Sequence, residues 1–340
     1  MKLSHLDRLS GISGISGDEQ AVAAAIIRKI EGYARWELDP MGTLYVYKEG
    51  RQRRNQPLLV QTCMDETGLL ISHITDEGYL RFVTVGELDS RILPGRQVLV
   101  GENKIPGVIS CKAIHQTSRE EREKPIPSDK LLIDIGASGK EEAQQLVKVG
   151  DSAVFLSEFE RLGGRRVKGK ALDTRMGCAI LISLIRAELT YDTVFAFTTR
   201  HHAGGGESFA AFTVNPARAI VLGGIAADDL PGGKGDCALG KGGVLPLMER
   251  GTRYDRKLAG EVISTASIAG IPLQTEYALT GTTPAGRVHH SRGGIPTVFL
   301  GLPCRYIGSP AVVADEADME AIEALTMALI EKGENPEMAE

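Results

Sequence analysis

The 340-residue chain reads as an α/β protein interrupted by an inserted β-rich domain. Three observations predict this. Short apolar runs at 58–60, 194–197 and 217–222 have the length and composition of buried strands. Apolar residues recur at three- and four-residue steps over 19–30, 175–189, 255–269 and 316–330, the spacing of helices with one face turned to a core. Between residues 68 and 164 the pattern changes to short β-rich segments broken by Gly and Pro, which suggests a small barrel or sandwich. The expected organisation is 1–67 plus 165–340 for the α/β part and 68–164 for the insertion.

Each element has a local reason. Ser16-Gly17-Asp18-Glu19 has the pattern of a capping box, in which serine and glutamate satisfy the first backbone donors of the helix that follows. Strands at 36–38 and 44–47 flank Asp39-Pro40-Met41-Gly42, whose proline and glycine mark a turn. The insertion contributes strands at 69–74, 79–83, 97–100 and 104–109. Its mixed-sign run Ser118-Arg119-Glu120-Glu121-Arg122-Glu123-Lys124 reads as a solvated loop. A further strand at 296–300 precedes the closing helix.

Composition excludes several function classes. Lysine plus arginine number 39 and aspartate plus glutamate 44, so the formal charge is −5. Scattered charges of this kind offer no footprint for nucleic acid or an anionic membrane. Met1-Lys2-Leu3-Ser4-His5-Leu6-Asp7-Arg8 lacks the apolar core of a signal peptide, and no later run is long enough to span a bilayer. The five cysteines, Cys63, Cys111, Cys178, Cys237 and Cys304, form no CxxC pair. Reduced thiols and a cytoplasmic location are expected.

The chemistry centres on Thr199-Arg200-His201-His202-Ala203-Gly204, where two imidazoles follow a buried strand. Reactive groups of α/β proteins lie beyond the carboxyl ends of parallel strands. Ala203-Gly204-Gly205-Gly206 lacks the lysine and hydroxyl of a P-loop and reads as a turn. His289-His290 has no spaced ligand partner and reads as structural.

Five stretches taken together resemble the glutamyl or deblocking aminopeptidase family of metallopeptidases, which includes tetrahedral aminopeptidases and members labelled endoglucanases. They are Cys63-Met64-Asp65-Glu66-Thr67-Gly68, Ile133-Asp134-Ile135-Gly136-Ala137, Gly169-Lys170-Ala171-Leu172-Asp173-Thr174-Arg175-Met176-Gly177, Leu239-Gly240-Lys241-Gly242 and Arg305-Tyr306-Ile307-Gly308-Ser309. The resemblance implies a peptidase-type α/β domain with a two-metal site, and an insertion that mediates dimers able to build larger shells. Paired metals about 3.5 to 4 Å apart would activate a bridging water while a carboxylate takes its proton.

The resemblance also marks departures. It implies a metal-binding histidine where this chain has Cys63, an orienting aspartate kept as Asp65, and a bridging ligand kept as Asp173. The family's adjacent glutamates, general base and ligand, correspond to His201 and His202. An aspartate ligand is replaced by Gly223, or by Gly224 if the alignment slips by one. A histidine ligand is replaced by Gly308, and Thr283-Pro284-Ala285 carries proline in place of an acid.

Glycine offers no donor atom, so neither metal keeps a full set. The first expectation is therefore a catalytically inactive homologue with no cofactor, kept for a structural, regulatory or peptide-binding role. It would form a homo-oligomer or co-assemble with active relatives. The alternative is a metal-dependent aminopeptidase or other hydrolase with a remodelled single-metal site. There Cys63, Asp173 and His202 would hold one zinc or cobalt ion while His201 accepts a proton. A third reading takes missing ligands from Asp228 or Asp229.

Overall fold

The computed structural model describes residues 3–233, 236–277 and 281–332. Two helices, α1 (Leu3–Gly11) and α2 (Gln20–Ile30), precede strands β1 (Arg35–Leu38), β2 (Leu44–Lys48) and β3 (Leu58–Cys63). Six strands follow: β4 (Gly68–Ile74), β5 (Leu80–Val85), β6 (Gln97–Val100), β7 (Ile105–Ser110), β8 (Leu132–Asp134) and β9 (Ser152–Phe155). They close into a barrel in the order β4-β5-β8-β7-β6-β9. Short helices α3 (Arg119–Arg122) and α4 (Lys140–Leu146) lie within this stretch. Residues 118–124 thus include one helical turn where a loop was expected, though α3 remains exposed where its burial is described.

The chain then returns through β10 (Glu160–Arg161) and β11 (Arg166–Gly169) to helix α5 (Leu172–Arg186), strand β12 (Thr193–Thr198), helix α6 (Glu207–Val214) and strand β13 (Arg218–Ala226). Next come β14 (Gly243–Pro246), β15 (Met248–Glu249), β16 (Thr252–Arg253), α7 (Arg256–Ala269) and β17 (Leu273–Glu276). Helix α8 (Pro284–His289), strands β18 (Thr297–Cys304) and β19 (Val312–Asp315), and helix α9 (Glu316–Glu331) complete it. The main sheet has the order β1-β2-β12-β3-β13-β18-β14-β17. Its centre, β12-β3-β13-β18, is parallel throughout. The fold is α/β, with helices on both faces of this sheet.

Burial on both faces explains the uninterrupted apolar runs. Leu58, Val60, Ile220, Leu222, Val298 and Leu300 face a core shared with α2, α5, α7 and α9. Leu59, Ala219, Val221 and Phe299, alternating with them, pack against Ala210, Ala211, Ala285 and Val288 of α6 and α8. Side chains alternate along a strand, so with both faces covered successive residues are apolar along most of each strand. The barrel has its own core, including Leu69, Ile71, Leu80, Val98, Ile109 and Ile133. Among the described residues no helix is long and apolar enough to cross a membrane.

Helix α5 starts one turn before the expected position. Ala171 adopts a left-handed conformation with φ of 55° and turns the chain from β11 into the helix, which places Asp173 in the first helical turn. The expected capping box does not form. Glu19 makes no side-chain cap; its Oε1 accepts from the Gly17 and Arg200 amides at 2.9 and 2.8 Å. Ser16 Oγ instead donates to Asp65 Oδ2. Residues that locally resemble a helix start are used to hold two distant loops.

Candidate metal centre

The parallel centre of the sheet brings two chain segments to one edge. Thr198 of β12 stands beside Cys63, the last residue of β3. Beyond β12, Arg200 takes a left-handed conformation with φ of 60°, and a single 3-10 turn, His201–Ala203, follows. The Glu19 carboxylate fixes the Arg200 amide, and Asp65 Oδ2 accepts from the His202 amide at 3.0 Å. Gly204 and Gly205, with φ of 133° and 84°, then reverse the chain. The Gly206 amide donates back to the Thr199 carbonyl at 3.0 Å. Helix α6 therefore starts behind the cleft wall, with Glu207 as its first residue. Its N-terminal position favours an ionised carboxylate.

Glu207 is fully buried. Its Oε1 lies 2.5 Å from His201 Nδ1, and the Cys63 thiol donates to the same oxygen at 3.4 Å. Oε2 accepts from Arg287 Nη1 at 3.5 Å. The ligand atoms of Cys63, His201 and Glu207 all lie within 4.8 Å of one another, the group of metal-ligand type found among the described residues. Burial opposes ionisation of both members of the His201–Glu207 pair, but their mutual hydrogen bond and charge outweigh it. The carboxyl falls below its ordinary range and the imidazole rises above its own. Burial first, then the charges of Glu207 and Asp65, push the Cys63 thiol well upward.

Cys63, Asp173, His201, His202, Gly223 and Gly308 all line one cleft of about 370 Å³. Asp173 and His202 stand in its wall outside the 4.8 Å group. Burial raises the Asp173 carboxyl, with the neighbouring His202 acting against that rise. His202 Nε2 is buried without a hydrogen-bond partner, and its ring meets that of His201 edge-on at 4.8 Å between centroids. Asp65 holds Ser16 and the His202 amide through Oδ2, a supporting position. Glu207 was not a sequence candidate. It lies six residues beyond His201 across a glycine turn, and no local feature of the sequence singles it out.

The two glycines at expected ligand positions behave differently from their neighbour Gly224. A Cβ on Gly224 would lie 2.6 Å from Asp173 Cβ, so β13 and α5 approach too closely there for any side chain. A Cβ on Gly223 would meet the Phe299 ring at 3.1 Å. Gly308 has φ of 73° and faces the Glu87 carbonyl. None supplies a donor, so the residues present do not fit a two-metal centre. Asp229 is held by Arg305 through two 2.7 Å bonds, and Asp228 Oδ1 accepts from the Cys237 amide. Both aspartates are thus engaged away from Asp173.

The remaining motifs resolve as scaffold. His289 Nδ1 lies 3.0 Å from the Ile295 carbonyl and His290 Nε2 3.1 Å from Thr252 Oγ1. Thr283 caps α8 by accepting from the Ala285 amide, and Pro284 occupies the first helical turn. A proline there removes a donor that the helix would leave unused.

A family model described as M42 glutamyl aminopeptidase matches residues 42–325. The chain is 32% identical over 334 residues to the putative aminopeptidase FrvX of Escherichia coli (strain K12), covering 95% of this chain and 93% of that protein. The TET aminopeptidase from the marine sediment archaeon Thaumarchaeota archaeon SCGC AB-539-E09 shares its fold with a TM-score of 0.92 at 33% identity, covering 97% and 96% of the two chains. The Pyrococcus horikoshii TET1 peptidase, which can assemble into a tetrahedron or a large octahedral shell, gives 0.86 at 37% identity, covering 96% and 98%. These matches correct the expectation that no cofactor is used. The family is one of metallopeptidases, and this chain clusters a thiol, an imidazole and a carboxylate able to hold an ion. With a model spanning most of its length and relatives matched nearly end to end, the chain belongs to the M42 glutamyl aminopeptidase family.

Proposed function

We propose that this protein is a metal-dependent aminopeptidase-like hydrolase with a remodelled single-metal site formed by Cys63, His201 and Glu207. The observation that carries this reading is the convergence of those three ligand atoms within 4.8 Å at the carboxyl ends of β3 and β12. Thiolate, imidazole and carboxylate are all accepted zinc ligands, and three protein ligands leave a position for water or substrate. A bound zinc or cobalt ion would supply Lewis acidity and a water of lowered pKa.

The chain's own residues do the rest. Glu207 orients His201 through Nδ1. His202 stands in the same cleft wall with its Nε2 buried and unpartnered. Asp65 and Glu19 hold the turn that carries both imidazoles. Asp173 adds a buried carboxylate beside His202. A thiol ligand needs reducing surroundings, in keeping with five free cysteines and a cytoplasmic placement. Assembly into a homo-oligomer, through the barrel as a dimerisation unit, is part of the proposal. The TET1 shells of a relative 37% identical support it.

A second reading, a catalytically inactive homologue that binds peptides or co-assembles with active relatives, is favoured by the donor losses at Gly223 and Gly308. Elemental analysis of tag-free protein equilibrated with zinc or cobalt separates the two, combined with release of N-terminal residues from peptides. The proposal expects about one ion per chain, lost in Cys63→Ala and Glu207→Gln, and turnover abolished with it. A bound ion without turnover would favour the inactive homologue. Two ions per chain would overturn the ligand assignment.

A further inference from the structure

The two oxygens of the buried Glu207 carboxylate face different partners. Oε1 points to His201 and Cys63, while Oε2 accepts from Arg287, 80 residues along the chain on α8. The Arg287 side chain is 47% exposed and lines the cleft. The space it fills exists because of the glycine turn. A Cβ on Gly205 would stand 1.6 Å from Arg287 Nη1 and 2.5 Å from Glu207 Oε2. Any side chain at 205 would evict the guanidinium, and φ of +84° disfavours one there in any case.

We propose that Arg287 is a positioning residue for the metal-ligand set. By engaging Oε2 it turns Oε1 toward Cys63 and His201 and restricts Glu207 to one ligating oxygen. This rests on the single-metal reading above. Two effects of Arg287 compete: its charge repels a cation, and its hydrogen bond fixes a ligand. The guanidinium is half in water and faces the Oε2 side, whereas the carboxylate it orients is wholly buried and carries the ligating Oε1. Orientation therefore dominates. Partners that hydrogen-bond to metal ligands typically support affinity by about 10- to 100-fold.

The test is zinc and cobalt binding to the metal-depleted full chain, for wild type, Arg287→Met, Arg287→Lys and Gly205→Ala. Expected are binding about 10- to 100-fold weaker in Arg287→Met and a shifted cobalt absorption spectrum. Arg287→Lys, which keeps a donor, should recover part of the loss, and Gly205→Ala should behave like Arg287→Met. The metal-free melting temperature of Arg287→Met should stay near the wild-type value, because the arginine is half exposed and His201 remains beside the carboxylate. Unchanged or tighter binding by Arg287→Met overturns the inference, as does a loss of affinity matched by a metal-free melting loss. Absence of stoichiometric binding to wild type overturns the single-metal reading along with it. Wild-type binding with Arg287→Met unaffected overturns this inference alone.

Discussion

Glu66 and Glu207 are both carboxylates withdrawn from water, and each faces cations, yet their surroundings differ in one respect. Glu66 is closed on every side. Lys170 Nζ reaches both oxygens at 2.7 and 2.8 Å and also donates to the Ile12 carbonyl. The Gly14 amide donates to Oε1 at 2.9 Å, and the wholly buried Arg175 stands 3.9 Å away. Glu207 also holds two nitrogen partners, but Arg287 is half exposed, the His201 side chain 27% exposed, and a thiol shares its oxygen. The closed pair ties the N-terminal loop, the β3 loop and α5 together. The open one presents ligands to a cleft. Burial of a charge alone does not distinguish scaffold from site; whether its partners reach solvent does.

The largest expected effect tests that contrast directly. Lys170→Met should destabilise the protein by about 3–5 kcal/mol, because it strands the buried Glu66 charge. Glu207→Gln should lose metal but less stability, because His201 and Arg287 can turn to water. Urea denaturation of the metal-free proteins measures both, and equal losses would erase the distinction. A smaller effect concerns the sheet's other side: Gly224→Ala should cost about 1–3 kcal/mol by overpacking against Asp173. A neutral Gly224→Ala variant, by the same measurement, would mean that β13 and α5 have room for a ligand after all.

The smallest effect extends the comparison to a carboxylate held by amides rather than by a cation. Asp318 accepts from the Gly240 and Gly242 amides, both at 2.7 Å. Burial raises its pKa to about 6, the two amides acting against that rise. A carboxyl whose folded pKa lies above its ordinary value of 3.8 favours the folded state when protonated. Its contribution is full below about pH 4 and is lost as the pH rises through about 6. Stability measured from pH 4 to 7 should thus decline more steeply in wild type than in Asp318→Asn. Parallel curves would show that Asp318 titrates normally.

Much of the scaffold was legible because it is local. The apolar runs of β3, β12 and β13 follow from a sheet covered on both faces, and Asp255 caps α7 through the Leu258 amide where the periodic spacing begins. Ser16 and Glu19 misled because a capping box is a statement about four residues, whereas here each side chain finds a better-placed partner far away in sequence. Cys63, Asp173, His201 and His202 were legible as candidates, and all four reach one cleft. Glu207 was not, since nothing local distinguishes a glutamate that begins a helix.

By itself, the sequence determined the α/β architecture, the absence of donors at Gly223 and Gly308, and the presence of a thiol and two imidazoles where the family resemblance implies other ligands. A residue without a side chain cannot ligate in any fold, so that loss needed no coordinates. Only the tertiary structure decided which donors meet. Cys63 and Glu207 are 144 residues apart, and their contact exists because β3 and β12 are neighbours in the sheet and a glycine turn returns α6 beneath them. Ligand geometry is set by strand pairing and backbone reversal, which act across distances that no sequence window contains.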